Sequence, residues 1–255
     1  MQPPSLAALL ASAIALTLAS PILAQSPAQP STSGPAPGSL AHFRFDGTAG
    51  DEHPGNPSFL LKNTEFRDNA LYLNGKYEND GGKDGYRAIC PAPKLDYHQF
   101  TVALRFKAEA FGEKNPIGPF GDRKSTLFMG GEGYRWFGMS RSKAGHLVIT
   151  MNNSRHRWEI DEAPLKTGTW TVVACGVDVN ARKVAVYLNG KKAASFNLPP
   201  DFKLDAVEAD PRGSDKLWTF TDYSHGGTFQ GLIDECIIYG ELLSDEAMAA
   251  IPLAP

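Results

Sequence analysis

The sequence predicts an all-β protein, folded as a sandwich or a barrel. One observation is alternation: Val102, Leu104 and Phe106 occupy every second position and would share one face of a strand. A second is that about a dozen short strands of this kind are separated by turn residues, as an all-β chain requires. A third is that a single segment, 244–251, has a helical pattern, with Ser244 as N-cap and acidic residues in its first turn.

Several strands and turns can be placed from these patterns. The pentapeptide YLNGK occurs at 72–76 and again at 187–191, and Asn-Gly after a strand predicts a type I′ turn because both residues tolerate positive φ. The other strands are expected at 136–139, 146–151, 171–178 and 183–188, with a turn at 142–145.

The N-terminal 38 residues differ from the rest in composition. Leu6 to Ala19 is a continuous apolar run of the length of a signal-peptide core, which predicts a signal peptide over 1–24 and a secreted, periplasmic or cell-envelope protein that spans no membrane after cleavage. Residues 1–4 contain no basic residue, which leaves an uncleaved anchor or a misplaced start as alternatives. Residues 25–38 are rich in Pro and Ser and predict a disordered linker before a folded domain at 39–255.

The overall charge of the protein bears on the partners that it could bind. The net charge is −3, so nothing in the overall charge favours a nucleic-acid partner.

The three cysteines are Cys90, Cys175 and Cys236. We expect all three to be small buried core residues, since two of them lie inside apolar strand patterns. One disulfide with one free thiol is the alternative.

Three stretches carry a family resemblance. The first is FDG at 45–47, followed by Asp51; the second is the pair TWTVVA at 169–174 and VAVYLNGK at 184–191; the third is FQGLIDE at 229–235. In this order and at these separations the chain resembles the laminin-G-like modules of the concanavalin A-like lectin/glucanase group, over roughly residues 40–251.

The resemblance implies a two-sheet antiparallel jelly-roll sandwich of concanavalin A-like topology with a short C-terminal helix. It also implies a secreted, non-catalytic recognition module that binds carbohydrate or an extracellular protein partner. Since fold does not fix function, two alternatives stay open: a glycoside hydrolase or polysaccharide lyase of the same fold, and a structural envelope protein without a soluble ligand.

The catalytic alternative depends on Glu159 and Asp161. Retaining glucanases of this fold carry E-x-D-x-(x)-E on one strand, where alternate carboxylates share a face. Here the positions of the last acid are Ala163 and Pro164, so the acid/base is missing, and Glu162 would point to the other face. We therefore expect no catalytic residues, with Glu159 and Asp161 as the weak candidates.

The resemblance also implies a structural Ca²⁺ between the opening loop and the closing strand. Calcium needs six to eight oxygen ligands. Asp51 and Asp234 occupy the acidic positions of those two segments, and Asp46 is a third candidate. The alternatives are a turn-stabilising role for Asp51 and a hydrogen bond across the sandwich for Asp234.

Exposed aromatic rings are the expected ligand contacts, since a rigid ring suits the apolar face of a sugar. If Phe137 faces the core, Trp136 faces outward, with Tyr134 beside it, and Trp218 and Tyr223 lie in the loop-rich stretch before the closing strand. We expect Trp158 and Trp170 to be structural instead, and the resemblance implies a core position for Trp170. No two of the six histidines have metal-ligand spacing on one strand.

Overall fold

A computed structural model describes residues 34–62, 64–74, 87–91, 95–111, 125–130, 136–152, 155–204, 217–220 and 229–251. All of them belong to one compact unit, Thr32–Pro255. The predicted signal peptide, most of the linker and the turn after the first YLNGK strand lie outside the described residues.

Fifteen strands and one helix form within these ranges, in the following order. They are β1 Ser39–Phe43, β2 Leu60–Lys62, β3 Glu65–Arg67, β4 Ala70–Asn74, β5 Arg87–Pro91, β6 Gln99–Phe111, β7 Ser125–Gly130, β8 Phe137–Arg141, β9 His146–Met151, β10 His156–Pro164, β11 Trp170–Asp178, β12 Lys183–Leu188, β13 Lys191–Asn197, β14 Leu217–Thr219, β15 Phe229–Tyr239 and α1 Asp245–Ala249.

The strands form two antiparallel sheets that face each other across one hydrophobic core. The eight-stranded sheet has the order β13-β12-β11-β6-β15-β4-β3, with β1 also on β15, and the seven-stranded sheet has the order β10-β9-β8-β7-β14-β5-β2. Val102, Leu104 and Phe106 all lie in the core, as the alternation predicts. The jelly-roll sandwich with one short C-terminal helix is therefore confirmed, and none of the described residues forms a helix long and apolar enough to cross a bilayer.

The closing strand β15 brings the two ends of the domain together. It pairs with β6 along its length, with β4 near its start and with β1 near its end, where Phe43 faces Cys236. The FDG and IDE segments of the family resemblance are therefore neighbours.

A buried polar pair sits where β1 meets β15. The Nδ1 atom of His42 accepts a hydrogen bond from the Ala36 N–H at 3.0 Å, so Nε2 carries the proton and lies 2.5 Å from Glu235 Oε1. Ala36 is itself buried, so the last residues of the predicted linker already pack against the domain.

The turn chemistry agrees with the sequence at the second YLNGK. Asn189 and Gly190 have φ values of 51° and 74° between β12 and β13, as a type I′ turn requires. The turn at 142–145 also forms, with the Gly145 N–H donating to Ser142 O at 3.1 Å. Ser244 caps α1 by accepting from the Ala247 N–H, as predicted.

Cys90, Cys175 and Cys236 are free and buried, which confirms the prediction of core cysteines. Burial raises the pKa of Cys90 to about 12 and raises the pKa values of Cys175 and Cys236 as well. Since the thiolate is the reactive form, these three groups are chemically protected.

We expect Gly231→Ala to destabilise the fold by about 1–3 kcal/mol. Gly231 has a φ of 147° at a bulge in β15, and a Cβ atom there would collide with the Lys107 carbonyl oxygen. The matched control is Gly50→Ala, whose Cβ would come no closer than 3.8 Å to Ser58 Oγ and which should change stability by less than about 0.5 kcal/mol. Urea unfolding of both variants measures the difference, and equal stabilities would contradict the steric argument.

Thiol labelling tests the burial of the cysteines. At neutral pH iodoacetamide should leave the native protein unmodified and should alkylate all three cysteines in guanidinium, as read by mass. Rapid labelling of the native protein would show that the described packing is wrong.

Candidate functional site

A bulge in the edge strand β10 shapes the candidate site. The β9–β10 ladder runs to the pair Ile160–Leu147 and resumes only at Pro164–His146, so residues 161–163 have no partner in β9. Ala163 enters the core while Asp161 is exposed to solvent. Asp161 directly follows the last regular pair and lies beside His146 at the start of β9.

His146 is held in place by the turn that precedes it. Its N–H donates to Ser142 Oγ at 3.1 Å, and its carbonyl accepts from the Ser142 N–H at 2.8 Å. The Leu165 N–H donates to Gly145 O at 2.8 Å, which fixes the far end of the bulge against the same turn.

Three side chains from β9 and β10 converge at this point. The Nδ1 atom of His146 lies 3.4 Å from Glu159 Oε1 and 3.5 Å from Asp161 Oδ1, and all three atoms lie within 4.8 Å of one another. Arg157 approaches from the other side, with one guanidinium nitrogen 3.6 Å from Glu159 Oε2. The cluster therefore combines one imidazole and two carboxylates with a neighbouring cation.

The two weak catalytic candidates are thus brought together, but their third neighbour is a histidine. Among the described residues, no third acid joins Glu159 and Asp161 in this cluster, and Glu162 is exposed in the bulge without joining it. The side chain of Asp161 is 82 % exposed to solvent. Asp161 therefore lies in open solvent, whereas an active site usually excludes water from the reacting groups.

The prediction that Trp136 faces outward is wrong. Trp136 comes just before β8 and does not follow the alternation of side chains in that strand. Both Trp136 and Phe137 therefore enter the core. Its ring centroid lies 5.3 Å from that of Phe100, and its indole covers Gly130, where any Cβ atom would collide with it.

Trp218 is also buried, which contradicts its expected place in an exposed loop. It belongs to β14 and packs against Phe128, with ring centroids 6.3 Å apart. Because Trp136 and Trp218 are both buried, neither indole ring is available to a ligand at the surface. The other expected contacts, Tyr134 and Tyr223, lie outside the described residues.

Half-buried rings instead lie along β10. Trp158 stacks on His156 with a centroid distance of 5.9 Å and contacts Phe196 of β13 at 5.1 Å. The expected structural role of Trp158 is borne out, since it packs against the core, but its ring is still partly exposed.

Trp170 differs from its expected core position. It lies half-buried on the outer side of the eight-stranded sheet, where the Arg105 guanidinium sits 4.3 Å from its ring centroid. The register explains this, because Trp170 is opposite Lys107, which alternates with the core residue Phe106.

Asp51 acts as a turn-stabilising residue. Its Oδ1 accepts from the N–H groups of His42 and His53 at 3.1 and 2.8 Å, and its Oδ2 accepts from the Asn56 side chain at 2.9 Å. Both oxygens are already used as acceptors by the protein itself.

Asp234 pairs with Arg105 at the sheet surface. Burial away from solvent is the largest effect on the Asp234 carboxyl, and it raises the pKa of that group. The Arg105 contact opposes this rise, and repulsion from Asp46 adds to it. Asp51 and Asp234 are thus engaged within the protein, whereas a calcium ion needs six to eight oxygen ligands. Calcium binding at Asp46, Asp51 and Asp234 stays a prediction.

Sequence reasoning missed His146. Its partners sit 13 and 15 residues further along the chain on a neighbouring strand, so a search for ligand spacing within one strand does not find it. The usable signal was the position of His146 at the start of a strand whose hairpin partner carries Glu159 and Asp161.

Solved structures with the same fold come from several sources. Domain 4 of AbnA, an extracellular arabinanase from Geobacillus stearothermophilus in complex with arabinotriose, is 21 % identical with a TM-score of 0.60, covering 82 % of this chain and 95 % of that one. The binding domain of botulinum neurotoxin DC in complex with SialylT is 12 % identical with a TM-score of 0.59, covering 83 % of this chain and 50 % of that one. At these identities the likeness shows the fold alone.

Trypanosoma rangeli sialidase is a third similar structure, 13 % identical with a TM-score of 0.60. The match covers 85 % of this chain but only 33 % of the sialidase, so it leaves most of that enzyme without a counterpart here. Among curated protein sequences, none matches the chain.

A family model identifies the chain more directly than any single structure. The laminin-G-type model described as the concanavalin A-like lectin/glucanases superfamily matches residues 80–249, which is two thirds of the sequence. This match agrees with the two-sheet topology and with the pairing of the first and last strands. The chain belongs to the concanavalin A-like lectin/glucanase superfamily.

Proposed function

We propose that this protein is an exported, non-catalytic recognition module that binds carbohydrate along the edge strand β10. The observation that carries the proposal is the alternation on that strand of half-buried rings, His156 and Trp158, with the charged side chains Arg157 and Glu159. The apolar run of residues 6–19 supports export.

An edge strand is suited to this role because a ligand that lies along its unpaired edge can reach partly exposed side chains from both of its faces. β10 ends the seven-stranded sheet, and among the described strands only β9 pairs with it. Arg157 and Glu159 point to the outer face with side chains about one third exposed. These two side chains are not part of the core, so they are free to form hydrogen bonds with sugar hydroxyl groups.

The rings supply the complementary apolar contact. His156 and Trp158 stack within 12° of parallel, and His156 also contacts Phe202 at 4.9 Å. Their packing fixes the ring orientations before any ligand arrives, which lowers the entropic cost of binding. A sugar ring has an apolar C–H face and a rim of hydroxyl groups, and β10 offers a partner for each.

The solved relatives support a binding role by their fold and their bound ligands. The AbnA domain was solved with arabinotriose and the neurotoxin domain with SialylT. These ligands belong to those proteins, and for this chain they support the class of ligand, carbohydrate, rather than any one sugar.

A hydrolase or lyase is the second candidate function, favoured by the close approach of Glu159 and Asp161 within 4.8 Å. Retaining glycosidases hold two carboxyl groups about 5 Å apart. Against it stand the exposure of Asp161 and the imidazole in the third place. Polysaccharide turnover that disappears in Glu159→Gln would establish it.

We expect the protein to bind a subset of plant, algal or host glycans on an array. Trp158→Ala and Arg157→Ala should each weaken binding to those glycans at least about tenfold, since each removes one of the two contact types. The matched control for charge is Lys166→Ala, which removes an exposed positive charge beyond the end of β10. This variant should bind the glycans as the unmodified protein does.

Two outcomes would contradict glycan recognition by β10. One is silence across the array, which would favour an extracellular protein partner or a structural role. The other is glycan binding that both variants retain, which would move the site elsewhere on the molecule. Thermal melting of each variant shows whether lost binding is due to lost folding.

A further inference from the structure

We propose that His146, Glu159 and Asp161 form a binding site for a divalent transition-metal ion of the zinc class. The inference stands on the geometry of these three side chains and does not depend on glycan binding. Glu159 belongs to both proposals, whereas Arg157 and Trp158, whose variants test glycan binding, are not ligands of the ion.

The spacing of the three donor atoms fits a tetrahedral ion. Zinc binds imidazole nitrogen and carboxylate oxygen at about 2.0–2.1 Å, so two ligand atoms of a tetrahedral site are about 3.4 Å apart. The Nδ1 atom of His146 lies 3.4 Å from Glu159 Oε1 and 3.5 Å from Asp161 Oδ1. Two of the three separations thus match those that the ion requires, and the two carboxylate oxygens lie within 4.8 Å of each other.

The state of the imidazole is a second and independent observation. The Nδ1 atom of His146 is buried, and among the described residues it makes no hydrogen bond, although two carboxylate oxygens face it. A buried nitrogen that makes no hydrogen bond, with two carboxylates only at ion-pair distance, is costly. A cation between the nitrogen and the two oxygens would use all three as ligands.

The donor types select the class of metal. Calcium prefers oxygen ligands, whereas one imidazole with two carboxylates suits zinc and its first-row neighbours. The exposed side chain of Asp161 leaves one side of the cluster open to solvent, so a fourth position would hold water or an oxygen of a bound ligand.

The fold explains how two strands deliver these ligands. Glu159 belongs to the regular part of the β9–β10 ladder, and Asp161 directly follows its last regular pair, Ile160–Leu147, beside His146. Hydrogen bonds of the turn at 142–145 hold the backbone of His146. The separation of the ligands is therefore set by backbone pairing rather than by mobile loops alone.

Calorimetric titration with zinc chloride tests the site on the full chain, purified without a histidine tag and freed of metal by a chelator. We expect one Zn²⁺ per chain. His146→Ala, Glu159→Gln and Asp161→Asn should each weaken zinc binding at least about tenfold. Glu162→Gln is the matched control, because it removes the same charge from the same bulge outside the cluster and should bind zinc normally.

Melting curves supply a readout that separates binding from folding. Zinc should raise the Tm of the unmodified protein and of Glu162→Gln, and should leave that of His146→Ala unchanged. A tenfold excess of calcium should not displace the zinc.

Three results would overturn the site. They are no saturable zinc binding, zinc binding that His146→Ala retains, and displacement by calcium. Glycan-array signals are read separately with Trp158→Ala and Arg157→Ala, so failure of the metal site and failure of the proposed function are distinguishable.

Discussion

The closing strand β15 is the constraint on which the eight-stranded sheet depends, because strands pair with it on both sides. β6 follows one edge for ten residue pairs, and the other edge is shared between β4 and β1. Gly231 permits the bulge near its start, and the hydrogen bond between His42 and Glu235 secures the junction with β1. Loss of β15 would therefore separate three strands from one another.

The proposed binding surface is at an edge of the other sheet, where the β9–β10 pairing is interrupted. Regular pairing beyond Ile160–Leu147 would place Asp161 opposite His146, and Asp161 stays beside His146 although the bulge interrupts the ladder there. The same edge leaves rings and charges of β10 partly exposed. The strand pairing thus brings Glu159, Asp161 and His146 together, and Asp161 lies exposed in the bulge.

Much of the fold could be predicted from the sequence, because strands with one buried face have a local pattern. The bounds of β9 and β12 and the Asn189-Gly190 turn follow from alternation and turn chemistry. Alternation holds only within a strand, so it gives the wrong face for Trp136, which precedes β8. For Trp170, only the pairing register shows which face of the sheet the side chain occupies. His146 needed cross-strand register as well, and the extra residues of a bulge leave no periodic signal.

The contact between His42 and Glu235 spans 193 residues of chain. A nascent polypeptide cannot close the sandwich until almost all of it has left the ribosome, since the last long strand completes the sheet that the first one enters. This sheet therefore stays incomplete until β15 has been synthesised. That delay agrees with the proposed export, since an exported polypeptide passes through a narrow translocation channel before it folds.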